Sequence, residues 1–257
     1  MKIFFHHITG KMTDMSIIYC NVYAHVNPDE ENHALQTGWA VDEWADEEPR
    51  CWFQGRQVRL NVNDLVENKK TRKILRRAKT ITRKVKKYSE TDLEEIQKVY
   101  EKYMKYRGFT DDLGEGGPIN QVELDPENKL VFHYYDKGEL RAWTLARTYS
   151  NANAVTGLQF CWDYHEPRVS LGKYSVLKEM QWAKDCGMKY LYMMPGYEKT
   201  CIYKRDFAGF EFWDGVKWSK DRSMYEYMCK KDSEIETFQD MNNVMWDYEK
   251  NYFKNEK

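Results

Sequence analysis

Net charge, paired cysteines and long apolar runs are all scarce in this chain of 257 residues. Lysine and arginine number 40 against 41 acids, for a net charge of -1. The molecule as a whole is therefore no polycation, and affinity for nucleic acid must come from a local patch. The six cysteines, Cys20, Cys51, Cys161, Cys186, Cys201 and Cys229, contain no C-x-x-C pair. At this size and spacing a reduced, cytoplasmic protein is expected rather than a disulfide framework. No apolar run is long enough to span a bilayer, and the start shows no secretory pattern, so no membrane association is expected. No internal repeat is visible.

The length is enough to bury a substantial core without covalent help. Aromatics are abundant, with 19 Tyr and 9 Trp, some for the core and some for stacking. Residues 17–26 and 58–62 read as short strands in a small N-terminal part, with an acidic, solvated stretch at 42–48. A helix is expected over 89–106, with acids in its first turn and Leu93, Ile96, Val99, Tyr100 and Tyr103 on one stripe. A Gly- and Asp-rich loop at 108–117 would end it. Strands are expected at 129–135, 139–149 and 154–163, the first two joined by the Asp136-Lys137-Gly138 turn. A helix over 173–186, capped by Gly187, leads to a buried strand at 188–194. A three-strand meander, a crossover helix and a fourth strand predict a mixed α/β sheet. The polar tail, 232–257, reads as helical.

Four features bear on chemistry. The first is the run 69–87, which carries Lys69, Lys70, Arg72, Lys73, Arg76, Arg77, Lys79, Arg83, Lys84, Lys86 and Lys87 and no acid. Placed on a helix, it predicts a cationic surface suited to a phosphate backbone. The second is the turn Arg168-Val169-Ser170-Leu171-Gly172-Lys173-Tyr174. It resembles the Q/R-x-x-G-x-G/A turn with which N-acetyltransferases cradle a pyrophosphate. The spacing is off by one, however, and Tyr174 replaces a small residue. The third is the loop 196–212, where Tyr197, Lys199, Tyr203, Lys204 and Phe207 follow a strand's C-terminal end. That is where open α/β sheets bind ligands; rings there could stack on a base and ammoniums hold phosphate. The fourth is a set of possible metal ligands, Cys20, His25, His33 and Cys51. They match no compact zinc pattern, and no metal is expected.

Segments across most of the chain resemble the arginyl- and leucyl-tRNA–protein transferases. Trp162-Asp163-Tyr164 resembles the family's Y-D-P, and residues 170–175 (S-L-G-K-Y-S) its S-L-G-x-Y-S. Tyr190 to Tyr197 is similar to its Y-x-L-G-Y-Y-I. Lys199, Tyr203, Lys204 and Phe207 resemble K-M-x-Y-K-x-x-Y/F, with one extra residue. Glu211, Asp214, Gly215 and Trp218 resemble E-x-x-D-G-x-x-W. Farther upstream, Thr37-Gly38-Trp39, residues 71–77 (T-R-K-I-L-R-R) and Tyr100-Glu101-Lys102-Tyr103 with Arg107 resemble further family elements. Cys20 and Cys51 fit two positions of the family's cysteine cluster, whereas Gln54 and Gln57 stand where further cysteines occur.

The resemblance implies an N-acetyltransferase-like domain at 69–231, a small N-terminal subdomain at 1–68 with a degenerate cysteine cluster, and a helical tail at 232–257. It implies an aminoacyltransferase moving arginine or leucine from charged tRNA to the N-terminal amine of a protein or peptide. The terminal adenosine ester has no pyrophosphate, which reconciles the turn with Tyr174. Charged tRNA would be the co-substrate, with no resident cofactor, and the protein a monomer. Under this reading Asp163 binds or deprotonates the amine, and Tyr203 and Lys204 hold the terminal nucleotide or the oxyanion. Tyr174, Tyr197, Lys199, Phe207 and Glu211 bind substrate, and Lys69, Lys70, Arg72, Lys73, Arg76, Arg77 and Lys79 bind tRNA, with Arg76 and Arg77 equally candidates for an acidic N-terminal residue of the target protein. The alternatives are a coenzyme A-dependent N-acyltransferase of the same fold and a non-catalytic tRNA-binding homologue.

Overall fold

The structure, a computed structural model, describes residues 1–12, 15–42, 51–108, 117–119, 126–235, 237, 239, 240, 243 and 244. Most of the expected acidic stretch at 42–48, the loop at 108–117 and the tail at 232–257 thus lie outside the described residues. In chain order the strands and helices are β1 (Lys2–Met12), β2 (Met15–His25), α1 (Glu31–Gln36), β3 (Trp39–Val41), β4 (Cys51–Gln54), β5 (Gln57–Asn61), α2 (Lys69–Arg77), β6 (Ile81–Lys87) and α3 (Leu93–Arg107). They continue as β7 (Lys129–Asp136), β8 (Glu139–Tyr149), β9 (Ala154–Trp162), α4 (Leu171–Asp185), β10 (Tyr190–Pro195), β11 (Phe210–Trp213), β12 (Trp218–Ser219) and α5 (Arg222–Asp232). The architecture is mixed α/β, as the element pattern predicts. Residues 60–193 form one compact unit, and residues 1–59 with 194–257 form another.

In the unit 60–193 the strand order is β10-β9-β8-β7-β6, antiparallel except where β10 runs parallel to β9. The β7–β8 turn places Lys137 at φ 53° and Gly138 at φ 85°. Positive φ at both positions gives a two-residue turn whose twist matches the strands. A parallel return to the sheet needs a crossover, which α4 supplies between β9 and β10. Its Leu171, Tyr174, Val176, Leu177, Met180 and Ala183 are buried. At the other end of the helix, Gly187 N–H donates to Lys184 and Met188 N–H to Ala183, which reverses the chain toward β10.

Helix α3 begins at Asp92, whose carboxylate accepts from the N–H groups of Glu94 and Glu95 at 3.0 and 3.2 Å. Its Ile96, Val99 and Tyr100 pack with Val131, Leu140, Trp143, Leu145 and Cys161. The Trp143 indole donates to the Ile96 carbonyl at 3.0 Å, so this core seals its polar atom. Each aliphatic side chain buried here contributes about 1.5–3 kcal/mol.

The basic run is divided rather than continuous. Asn68 caps α2 by accepting from Lys70 and Thr71, and the helix stops at Arg77. Ala78 and Ile81 are buried, and from Ile81 the chain pairs with β7 as an edge strand. Alternating β-branched residues (Ile81, Val85) favour strand over helix there.

In the other unit β1, β2, β4 and β3 make a four-stranded antiparallel sheet. Strands β11 and β12 pair as an antiparallel hairpin, with Trp213 opposite Trp218. Helix α5, capped by Asp221, buries Met224, Tyr225, Met228 and Cys229. The Tyr225 ring lies 5.0 Å from Phe210 and 5.3 Å from Phe212.

Candidate active site

In the unit 1–59 and 194–257 the chemistry gathers where β10 ends. Met194 and Glu198 adopt left-handed φ values of 58° and 65°, which side chains other than glycine take at a cost. The bend is braced by Lys204, on the 3-10 helix Lys199–Asp206. Its ammonium donates to the carbonyls of Met194 and Pro195 at 3.3 and 2.8 Å. Lys204 is buried, and loss of water holds its pKa below the ordinary lysine value.

Beside it, Arg56 forks onto Asp232 and reaches the Gly196 carbonyl at 3.4 Å. Its backbone N–H donates to the Tyr197 hydroxyl at 3.3 Å, and its guanidinium lies 5.6 Å from that ring. Burial raises the Tyr197 pKa, so the hydroxyl stays protonated. Gln54, Arg56, Tyr197, Trp213, Asp214 and Met228 line an open pocket of about 310 Å³. Aromatic walls with one guanidinium and one carboxylate suit a flat polar group.

Of the other expected residues of this unit, Lys199 and Tyr203 lie on the same 3-10 helix, Phe207 follows it, and Glu211 lies on β11. Tyr203 is 36% exposed and meets buried Phe207 edge-on at 6.2 Å. Lys199 is exposed, and its N–H donates to the Ser233 hydroxyl at 2.8 Å. Glu211 is buried in an ion pair, accepting from Arg59 Nε at 2.7 Å. Arg59 also donates to Gln36 at 3.1 Å and lies 3.9 Å from the Trp218 ring centre. The other carboxylate oxygen of Glu211 lies 3.6 Å from the Lys220 ammonium, so the carboxylate is shared between two cations. Arg56, Asp232 and Tyr225 were not among the expected site residues; each takes its place through partners more than 20 residues away.

In the unit 60–193, Asp163 follows β9. Its carboxylate accepts from Arg141 at 2.8 Å and from the His165 N–H at 3.0 Å, and its side chain is only 2% exposed. Tyr174 is 3% exposed, donates to the Ile81 carbonyl at 3.2 Å and packs edge-on against Tyr134. It shapes the turn from inside. Lys69, Lys70, Arg72, Lys73, Arg76, Arg77 and Lys79 are all exposed on and just beyond α2.

Among the described residues no group of three or more His, Cys, Asp or Glu side chains is placed to hold a metal ion. Cys51 Sγ lies 3.9 Å from His25 Nδ1, but Gln54 donates to the Thr37 carbonyl at 2.8 Å and ties down its strand. Gln54 and Gln57 supply no thiolate, so these residues do not fit a cysteine-ligated cluster. The side chain of Cys20 lies outside the described residues.

The unit 60–193 thus holds a strand–turn–helix core and an exposed basic helix, and the other unit holds a lysine-braced bend. The family described as arginine-tRNA-protein transferase, C terminus, matches residues 85–214, which is 130 of the 257 residues. The chain belongs to the arginine-tRNA–protein transferase family, a family of enzymes. An aspartate/glutamate leucyltransferase from Ruegeria sp. (strain TM1040) is 24% identical over 178 residues, covering 63% of this chain and 60% of the relative. Two solved structures are also similar. One is the C-terminal domain of a proposed lysylphosphatidylglycerol synthetase from Agrobacterium fabrum, with TM-score 0.45, 14% identity, 67% of this chain covered and 52% of the other. The second is a GCN5-related glucosamine N-acetyltransferase region of a fungal β-N-acetylglucosaminidase, with TM-score 0.41, 15% identity, 71% of this chain covered and 21% of the other. The chain thus spans less than two thirds of the length of these relatives. Among the described residues no helix is long and apolar enough to cross a membrane.

Proposed function

We propose that this chain transfers an amino acid, arginine or leucine, from charged tRNA to the N-terminal amine of a protein or peptide. The observation that carries the reading is α2. Seven exposed cations lie on and beside one short helix, with no acid in the helix itself. Such a face suits a phosphate backbone, and family membership supplies the class of donor.

The acceptor's neutral α-amine attacks the ester carbonyl, the bond from that carbon to the ribose oxygen breaks, and the amine's surplus proton ends on the ribose hydroxyl. An α-amine has a pKa of about 7.7–8.0, so a useful neutral fraction exists near pH 7 without a strong base. Positioning of the two reactants then does most of the work. Asp163, sealed by Arg141, enters as a positioning residue for the end of β9. Tyr203 and Lys204 are assigned to the terminal nucleotide or the developing oxyanion, with Tyr197, Lys199 and Phe207 beside them. Residues 69–231 are proposed as the catalytic portion.

The test is transfer of radiolabelled arginine or leucine from charged tRNA to peptides with different N-termini. Transfer by the wild type that falls at least about tenfold in Lys204→Met, assayed well below the variant's own thermal midpoint, supports the assignment. No transfer from either tRNA to any peptide removes the proposal, and full activity in Lys204→Met removes that residue's role.

A further inference from the structure

An aromatic ladder stands at the C-terminal end of β9. Trp162, the last residue of that strand, lies against Tyr164 with ring centres 3.9 Å apart. On the other side of Tyr164, Tyr106 stacks at 3.4 Å with the two rings 16° apart. Tyr103 follows Tyr164 at 6.1 Å and 20°. The chain takes an uncommon path to build this: Tyr164 sits at φ 53°, a conformation a bulky side chain rarely adopts. Asp163 locks the bend through Arg141 and the His165 N–H. Local strain of this kind persists only where the surroundings over-determine it, and it clusters at binding sites.

The last rung is open. Tyr106 is 63% exposed, a large share for a ring already covered on one face. Among the described residues, three cations flank it on α3. Lys105 and Arg107 share the last turn of α3 with it, and Lys102 lies one turn back on the same face. Arg107 is close enough to Tyr103 to oppose the rise in its pKa. Asp163, next to Tyr164 in the chain, has its carboxylate paired with Arg141.

A flat aromatic face at the end of a rigid stack, rimmed by cations, is the pattern that holds an unpaired base and its phosphates. We propose that Tyr106 is a stacking platform for an unpaired nucleobase of single-stranded RNA, with Lys102, Lys105 and Arg107 at its phosphates. This rests on the charged-RNA reading for its biological donor, and it narrows that reading: the ladder would take an unpaired end, and α2 a backbone. The duplex stem has no exposed base face to offer Tyr106.

The experiment uses the full chain and a short RNA hairpin with a four-nucleotide 3′ overhang, its terminal base replaced by 2-aminopurine. A blunt hairpin is the control. Wild type and Tyr106→Phe are expected to quench the fluorescent base on binding. Tyr106→Ala is expected to bind the overhang about tenfold or more weakly, without quenching. The blunt hairpin should bind both proteins alike. Equal affinity and quenching in Tyr106→Ala and wild type would overturn the platform, as would equal binding of blunt and overhung RNA by the wild type. Amino-acid transfer by the same variants separates the two ideas. Transfer by a wild type that fails the overhang test removes the ladder and leaves the reaction. Overhang binding that depends on Tyr106 without any transfer keeps the ladder and removes the reaction.

Discussion

Replacing Gly196 with alanine tests how tightly the bend after β10 is built. An added Cβ would meet the Tyr225 hydroxyl, with the ring atom Cζ at 2.8 Å. Tyr225 is 0% exposed, is held by Phe210 and Phe212, and donates to the Cys201 carbonyl at 3.2 Å. The ring has little room to retreat. Overpacking of this kind costs about 1–3 kcal/mol. Losing the Tyr225–Cys201 hydrogen bond adds about 1 kcal/mol. Gly196→Ala is therefore expected to destabilise the protein by about 2–4 kcal/mol in total. Tyr225→Phe alone should cost about 1 kcal/mol, because only the hydrogen bond goes. It also removes the oxygen that clashes. In that background Gly196→Ala should cost about 1–2 kcal/mol less than in the wild type. Urea unfolding of the four proteins measures the coupling. Additivity within about 0.5 kcal/mol would show that the two groups do not meet, and the account of the bend would fall.

Two further outcomes follow from the other unit. Glu179 is buried and accepts from Tyr134 and Thr144 at 2.9 and 2.6 Å, and burial raises its pKa above 4.5. The folded state thus keeps a proton that the unfolded state has released, so stability falls as pH rises from 4.5 toward the folded value. In Glu179→Gln this fall should vanish, and parallel urea-midpoint profiles for mutant and wild type would refute the assignment. On α2, Lys73→Glu with Arg76→Glu should weaken RNA binding and flatten its salt dependence by about 0.7–0.9 per lost phosphate contact, with stability unchanged. An unaltered salt slope would show that this face does not meet the backbone.

Local pattern carried much of the fold. The stripe from Leu93 to Tyr103, the Asp136-Lys137-Gly138 turn and the apolar period of α4 each reflect interactions within a few residues, so they are legible in the chain. The run 69–87 was legible as charge and not as structure. Charge alone left open where the run is helical; Ile81 and Val85 found partners on β7, and cross-strand pairing decided the second half.

Site residues were legible by type and less so by role. The sequence flagged Tyr174, Asp163, Lys204 and Glu211, and it could not say which way each side chain would turn. Tyr174 bonds Ile81, 93 positions away, and Glu211 bonds Arg59, 152 positions away. Pairings at such separations follow from how sheets and helices pack, and no local period encodes them.

By itself, then, the sequence determined the mixed α/β pattern, the crossover helix and the cationic segment, because propensity, capping and charge act over a few residues. Only the tertiary structure decided that Lys204 braces the end of β10, that Asp163 is sealed, and that Trp162, Tyr164 and Tyr106 stand as one ladder. Those outcomes depend on burial and on contacts between distant segments, and they exist only once the chain has packed.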